Sequence, residues 1–107
     1  MLVNVEIRER TRELLAESVL DAPNTDAKIR RLLQGEYLRE TARYRRRDQE
    51  LSQKYGMNFD EFFSRGIVKE NNYSWEVEQD AMEWETSIGG LQTMARKLNE
   101  IQMLLNE

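Results

Sequence analysis

Apolar residues in this chain recur mostly at helical spacing, and the clearest run lies in the last third. Val77, Ala81, Trp84, Ile88, Leu91, Ala95, Leu98, Gln102 and Leu105 follow alternating steps of four and three. That is a heptad seam, broken only at Gln102. Ser74 stands before it as an N-cap, and Glu76 and Glu78 suit the positive end of the helix dipole. Gly89 and Gly90 interrupt the middle. Two glycines cost about 2 kcal/mol against alanine in a helix, so the pair predicts a kink or a close helix crossing.

A second long helix is predicted from Asn24 or Thr25, either a good cap, to Tyr55. Ile29, Leu33, Tyr37, Tyr44, Leu51 and Tyr55 form its stripe, which Leu32 and Leu38 widen. Gly56 supplies the left-handed residue that stops it. At a rise of ~1.5 Å per residue this helix is roughly 46 Å long. Between the two long segments, Asn58 caps a short helix with an aromatic face of Phe59, Phe62 and Phe63, ended by Gly66. Ile67 and Val68 then lead into a polar turn over residues 69–73.

The N-terminal part is less regular. Residues 9–20 read as a helix with Leu14, Leu15 and Val19 as its stripe, closed by the turn around Pro23. Val3, Val5 and Ile7 alternate with polar residues, which is strand period. A lone strand needs another chain to pair with, which favours helix without closing the alternative. The expected architecture is one all-α domain over residues 1–107, with residues 1–24 as an extension and 25–107 as the helical core. Two long helices of nearly equal length, joined by a short connector helix, pack most economically as an antiparallel hairpin.

Composition narrows the chemistry. The chain has no histidine and no cysteine. It therefore lacks the usual general base, thiolate metal sites and any Ser/His/Asp or Cys/His constellation. A metal ion would have to be a hard cation held by carboxylates. Glu6-Ile7-Arg8-Glu9 spells half of the ExxE…ExxD arrangement with which all-α nucleotide pyrophosphohydrolases hold Mg²⁺, but the second half is missing. The expectation is a protein that is not an enzyme and binds no cofactor or metal. No apolar run approaches the roughly 20 residues of a membrane span, and the N-terminus lacks a signal-peptide pattern, so a cytoplasmic protein without a membrane partner is expected.

The net charge of −4 conceals strong segregation. Residues 28–47 carry eight basic side chains against Glu36 and Glu40, whereas residues 60–107 carry four basic against ten acidic. Such blocks signal either internal complementarity or a charged partner. Arg39, Arg43, Arg45, Arg46 and Arg47 are the candidates for nucleic-acid contact, with Tyr44 between them to stack on a base. At ~100° per residue they spread right around the helix, so ion pairing with the acidic last helix is the plainer reading. On that last helix, Glu76, Asp80 and Glu83 share one flank, and Glu78 and Glu85 share the other.

Trp75 lies nine residues before Trp84, about 180° around the helix, and Met82 joins it there. A helix with two apolar faces contacts two things. Either Phe59, Phe62 and Phe63 cover Trp75 and Met82, or those two anchor a partner. The candidate partner-binding residues are thus Trp75, Met82, Glu76, Glu78, Asp80 and Glu83.

Two stretches together carry a resemblance to a known family: Lys54-Tyr55-Gly56-Met57-Asn58-Phe59-Asp60-Glu61-Phe62, and the segment from Tyr73-Ser74-Trp75 through Met82-Glu83-Trp84-Glu85. With the preceding Arg30-Arg31-Leu32-Leu33 and Glu36-Tyr37, the chain over residues 28–100 resembles a family of small helical bacterial and archaeal proteins assigned as antitoxins of two-gene toxin–antitoxin loci. The resemblance implies a protein that binds and neutralises a small toxin encoded beside it, and it supplies no catalytic or ligand residues. Residues 1–24 lie outside it. Self-association through the long seam, giving a homo-oligomer, is a further option.

Overall fold

Residues 6–18 and 22–107 are described by the computed structural model. Helices account for most of them: α1 (Glu9–Ser18), α2 (Thr25–Tyr55), α3 (Phe59–Ser64), α4 (Ile67–Glu70) and α5 (Trp75–Leu105). The expected strand or helix over residues 2–8 falls largely outside the described residues, as does Val19, and residues 6–8 are neither helix nor strand. Each long helix has the cap its sequence suggests. Asn24 accepts from the Ala27 amide, Ser74 from the Val77 amide, and Gly56 closes α2 with φ +67°.

The two 31-residue helices pack against each other. Their pairings run in opposite senses along the two sequences. Arg30 reaches the Leu104 carbonyl, Gln34 meets Gln102, Arg47 meets Glu83, and Lys54 meets Glu76. Helix α1 lies along the start of α2 with Leu15 buried, and the Lys28 ammonium donates to the Ala16 carbonyl at 2.9 Å.

The seam of α5 has the expected period in a different register. Its buried positions are Val77, Asp80, Trp84, Ser87, Met94 and Ile101, with Leu91 and Leu98 half-buried between them. Steps of three now precede steps of four, so Asp80, Ser87, Met94 and Ile101 take the places predicted for Ala81, Ile88, Ala95 and Gln102. The last two are exposed. Ala81 and Ile88 are half-buried because they turn toward the connector, where they pack on the aromatic cluster. The first half of α5 packs on α2 and on the connector helices α3 and α4, and its second half packs on α2.

The principal core sits at the connector end: Leu51, Phe62, Ile67, Val77 and Trp84, with Tyr55, Met57, Phe59 and Val68 around them. Phe62 and Phe59 approach the Trp84 ring at 5.0 and 5.6 Å between centroids, and Tyr55 stacks on it at 6.0 Å. The Trp84 indole N–H donates to Asp48 at 2.8 Å. Ile67 and Val68, expected to lead into a turn, form the one-turn helix α4 and insert Ile67 into this core.

The glycine pair has one internal explanation. A Cβ on Gly90 would fall 2.5–2.7 Å from three atoms of the Tyr44 ring. The missing Cβ leaves the room that the Tyr44 ring of α2 occupies against α5. A Cβ on Gly89 would meet nothing within 4 Å, and that residue faces solvent.

Candidate interaction surface

The charged candidates divide by the neighbours they meet. Arg47 alone of the arginine stretch reaches α5, donating from Nε and Nη2 to Glu83 and pairing with Glu50 and Asp80. Its hydrogen bonds hold the Glu83 carboxyl below the usual range. Arg39 and Arg43 are exposed and pair within α2, with Glu36 and with Glu36 and Glu40 respectively. Arg45 and Arg46 are exposed and have no ion pair among the described residues. Tyr44 is half-buried against the α5 backbone at Gly90, so its ring does not stand free to stack on a base.

Asp80 requires a correction. The spacing places it with Glu76 and Glu83 on a solvated flank, yet its side chain is 8% exposed. Its Oδ2 accepts from the Tyr55 hydroxyl and from the Lys54 ammonium, each at 2.6 Å. Burial alone would raise this carboxyl; the bonds from Lys54 and Tyr55 and the charges of Lys54 and Arg47 outweigh it, and the net direction is downward. The Tyr55 hydroxyl is pushed up to about 12 by its burial and by the Asp80 bond. Lys54 also holds Glu76 at 2.6 Å. This flank is therefore neutralised from within by Lys54 and Arg47. The other flank is not: Glu78 and Glu85 have no ion pair among the described residues.

Trp75 and Met82 stand in the open, 78% and 66% exposed. The connector aromatics do not cover them, because Phe59 and Phe62 turn inward onto Trp84. Phe63 is itself 76% exposed, a side chain that the aromatic run Phe59, Phe62, Phe63 pointed to without showing which ring would face out. Between α3–α4 and α5 opens a groove of about 280 Å³, floored by Phe62 and Ile67 and walled by Phe63, Val68, Ala81 and Met82. Lys69 and Glu85 stand at its edges, and Tyr73 closes one end.

Tyr73 reaches that place through an unusual backbone. Asn72 and Tyr73 both have φ of +55°, a left-handed conformation that suits asparagine far better than a bulky ring. The turn is fixed by the Asn72 amide on the Lys69 carbonyl, the Tyr73 amide on the Val68 carbonyl, and the Asn71 side chain on the Ile67 carbonyl. Nothing in the spacing of apolar residues forecasts it. Among the described residues no helix is long and apolar enough to cross a membrane, and no three acidic side chains gather as a cation cage.

No family model matches the chain, and no curated protein or solved structure is similar to it.

Proposed function

We propose that this chain is a helical interaction protein, an antiparallel α2–α5 hairpin that acts in the cytoplasm by binding another small protein rather than by catalysis. In its sharper form, drawn from the resemblance of residues 28–100, the bound protein is the toxin of a two-gene locus and the chain neutralises it. The antiparallel reading is supported by the opposed order of the α2–α5 pairings.

One observation carries the interaction reading. Four large side chains, Phe63, Tyr73, Trp75 and Met82, are more than half exposed around one end of the molecule, while the core beside them is filled without them. Exposed apolar groups clustered around a groove mark binding surfaces in small folded proteins. The test is co-expression with the product of the adjacent reading frame. Co-purification and rescue of growth are expected, and both should be lost in Trp75→Ala/Met82→Asp. A partner that neither co-purifies nor stops being toxic overturns the reading.

A second reading, nucleic-acid binding by α2, is favoured by exposed Arg45 and Arg46 having no ion pair among the described residues. It predicts affinity that falls steeply with salt, by counterion release. Unchanged DNA and RNA mobility at low salt removes it.

A further inference from the structure

Helix α5 carries a second heptad seam on its solvent side. Trp75, Met82 and Gly89 are seven residues apart and all exposed. Seven residues make two turns less about 20°, so the three positions stack along one face, opposite Trp84. Trp75 and Met82 are its knobs. Gly89 is its hollow, and no contact within the fold accounts for a glycine there. An exposed mid-helix glycine weakens the helix relative to alanine without internal return.

Charge selects what lies on this face. Along one edge run Glu78 and Glu85, seven residues apart and without an ion pair among the described residues. Along the other edge run the neutral Gln79 and Thr86. A second copy laid antiparallel about Met82 would set Trp75 over Gly89 but bring Glu78 against Glu85 of the other copy, a like-charge contact that is destabilising. Laid parallel, it would set Trp75 on Trp75 and leave the carboxylates without cations.

The geometry points to a basic amphipathic helix of another protein as the occupant. Resting on the interaction reading above, this inference gives the chemistry of the bound segment. It spans about four turns, from Trp75 to Gly89. It sets a large apolar side chain into the hollow at Gly89 and places Lys or Arg at two positions seven apart, facing Glu78 and Glu85.

The protein carries its own reporter. Of its two tryptophans, Trp84 is fully buried and Trp75 is 78% exposed, so docking on this face shifts the emission of Trp75 alone. The probe is a stapled helix of about four turns, with leucine at the heptad positions and lysine at two flank positions seven apart. A matched peptide carries glutamate at those flanks. The lysine peptide is expected to blue-shift the emission saturably and to bind at least tenfold tighter than the glutamate peptide. Glu78→Gln/Glu85→Gln should abolish that difference, whereas Glu76→Gln, on the edge neutralised by Lys54, should preserve it. Gly89→Leu should weaken binding at least tenfold while leaving the protein at least as thermally stable, which a merely structural role for Gly89 does not predict. Equal binding of the two peptides overturns the basic helix but leaves the interaction reading intact. Binding of neither overturns it too, and the interaction reading is then judged separately by the co-purification test. A concentration-dependent blue shift of the protein alone overturns it in favour of a second copy.

Discussion

Replacing each member of the glycine pair by alanine should affect stability unequally, with a gain at Gly89 and none at Gly90. Both positions lie inside α5, so each substitution gains about 1 kcal/mol of helix propensity. At Gly89 nothing stands within 4 Å of the new methyl group, so that gain is realised in full. At Gly90 the methyl would lie 2.5–2.7 Å from the Tyr44 ring, where non-bonded carbons prefer ~3.5–4.0 Å. Relieving that overlap means tilting the ring or parting the helices, at about 1–3 kcal/mol. Gly90→Ala should therefore be neutral to about 2 kcal/mol destabilising, and the two variants should differ by about 1–3 kcal/mol. With an unfolding entropy of roughly 2.1 cal/mol/K per residue, each kcal/mol corresponds to roughly 4–5 °C in Tm for a chain of this length. Thermal and urea unfolding followed by circular dichroism measure both. The Tyr44→Ala background completes a double-mutant cycle, in which Gly90→Ala should recover its gain of about 1 kcal/mol. A Gly90→Ala protein as stable as Gly89→Ala in the wild-type background would refute the close crossing.

Three further outcomes are expected. Asp80→Asn should cost about 2 kcal/mol at pH 7, the scale of hydrogen bonds to charged groups. Because the folded Asp80 carboxyl lies below its unfolded value near ~3.9, its contribution is present above that pH and lost as pH falls through the folded value. Urea titrations from pH 7 to pH 2.5 should thus show the gap between wild type and variant closing; a gap that widens toward acid would contradict the sign. Tyr73→Gly should raise stability by about 1 kcal/mol by relieving a bulky residue at φ +55°, and a lowered Tm would show that the ring contributes more than its backbone costs. Leu51→Ala, at a site 1% exposed, should cost about 3 kcal/mol by leaving a void under Trp84, whereas Leu38→Ala, at 55% exposure, should change stability by under about 0.5 kcal/mol. Similar losses at the two positions would contradict the assigned core.

The caps and lengths of the long helices were legible because they are local. Asn24, Gly56, Asn58 and Ser74 act within four residues of themselves, and the structure uses each as its chemistry suggests. The seam register was not local. Apolar periodicity favoured Ala81 and Ile88 over Asp80 and Ser87, since a carboxylate scores as surface. Asp80 turns inward because Lys54 and Tyr55, about 25 positions away in sequence, supply a cation and a hydroxyl at hydrogen-bond distance. The same limit applied to the connector. Three phenylalanines in five positions gave an aromatic face, but only the placement of Trp84 decides that Phe62 is buried and Phe63 exposed. The turn at residues 71–73 falls within the polar stretch 69–73 that foretells one, but its left-handed backbone at Tyr73 had no signature, because a tyrosine rarely adopts it.

The concentration of core residues at the connector end has a kinetic consequence. Contacts such as Tyr55 with Phe62 and Lys54 with Glu76 close short loops, while Arg30 with Leu104 closes a loop ten times longer than the first. Loop-closure entropy grows with that separation, so the connector end is the least costly place to begin folding, and the α2–α5 contact then extends from it in small increments. Opening runs the other way. The far end of the α2–α5 contact, where Met94 and Ile101 are the buried apolar residues of α5, is expected to separate before the connector end does. The exposed ring of Trp75 is thereby mounted on the last part of the molecule expected to melt, so the side chains around it hold their arrangement while the opposite end breathes.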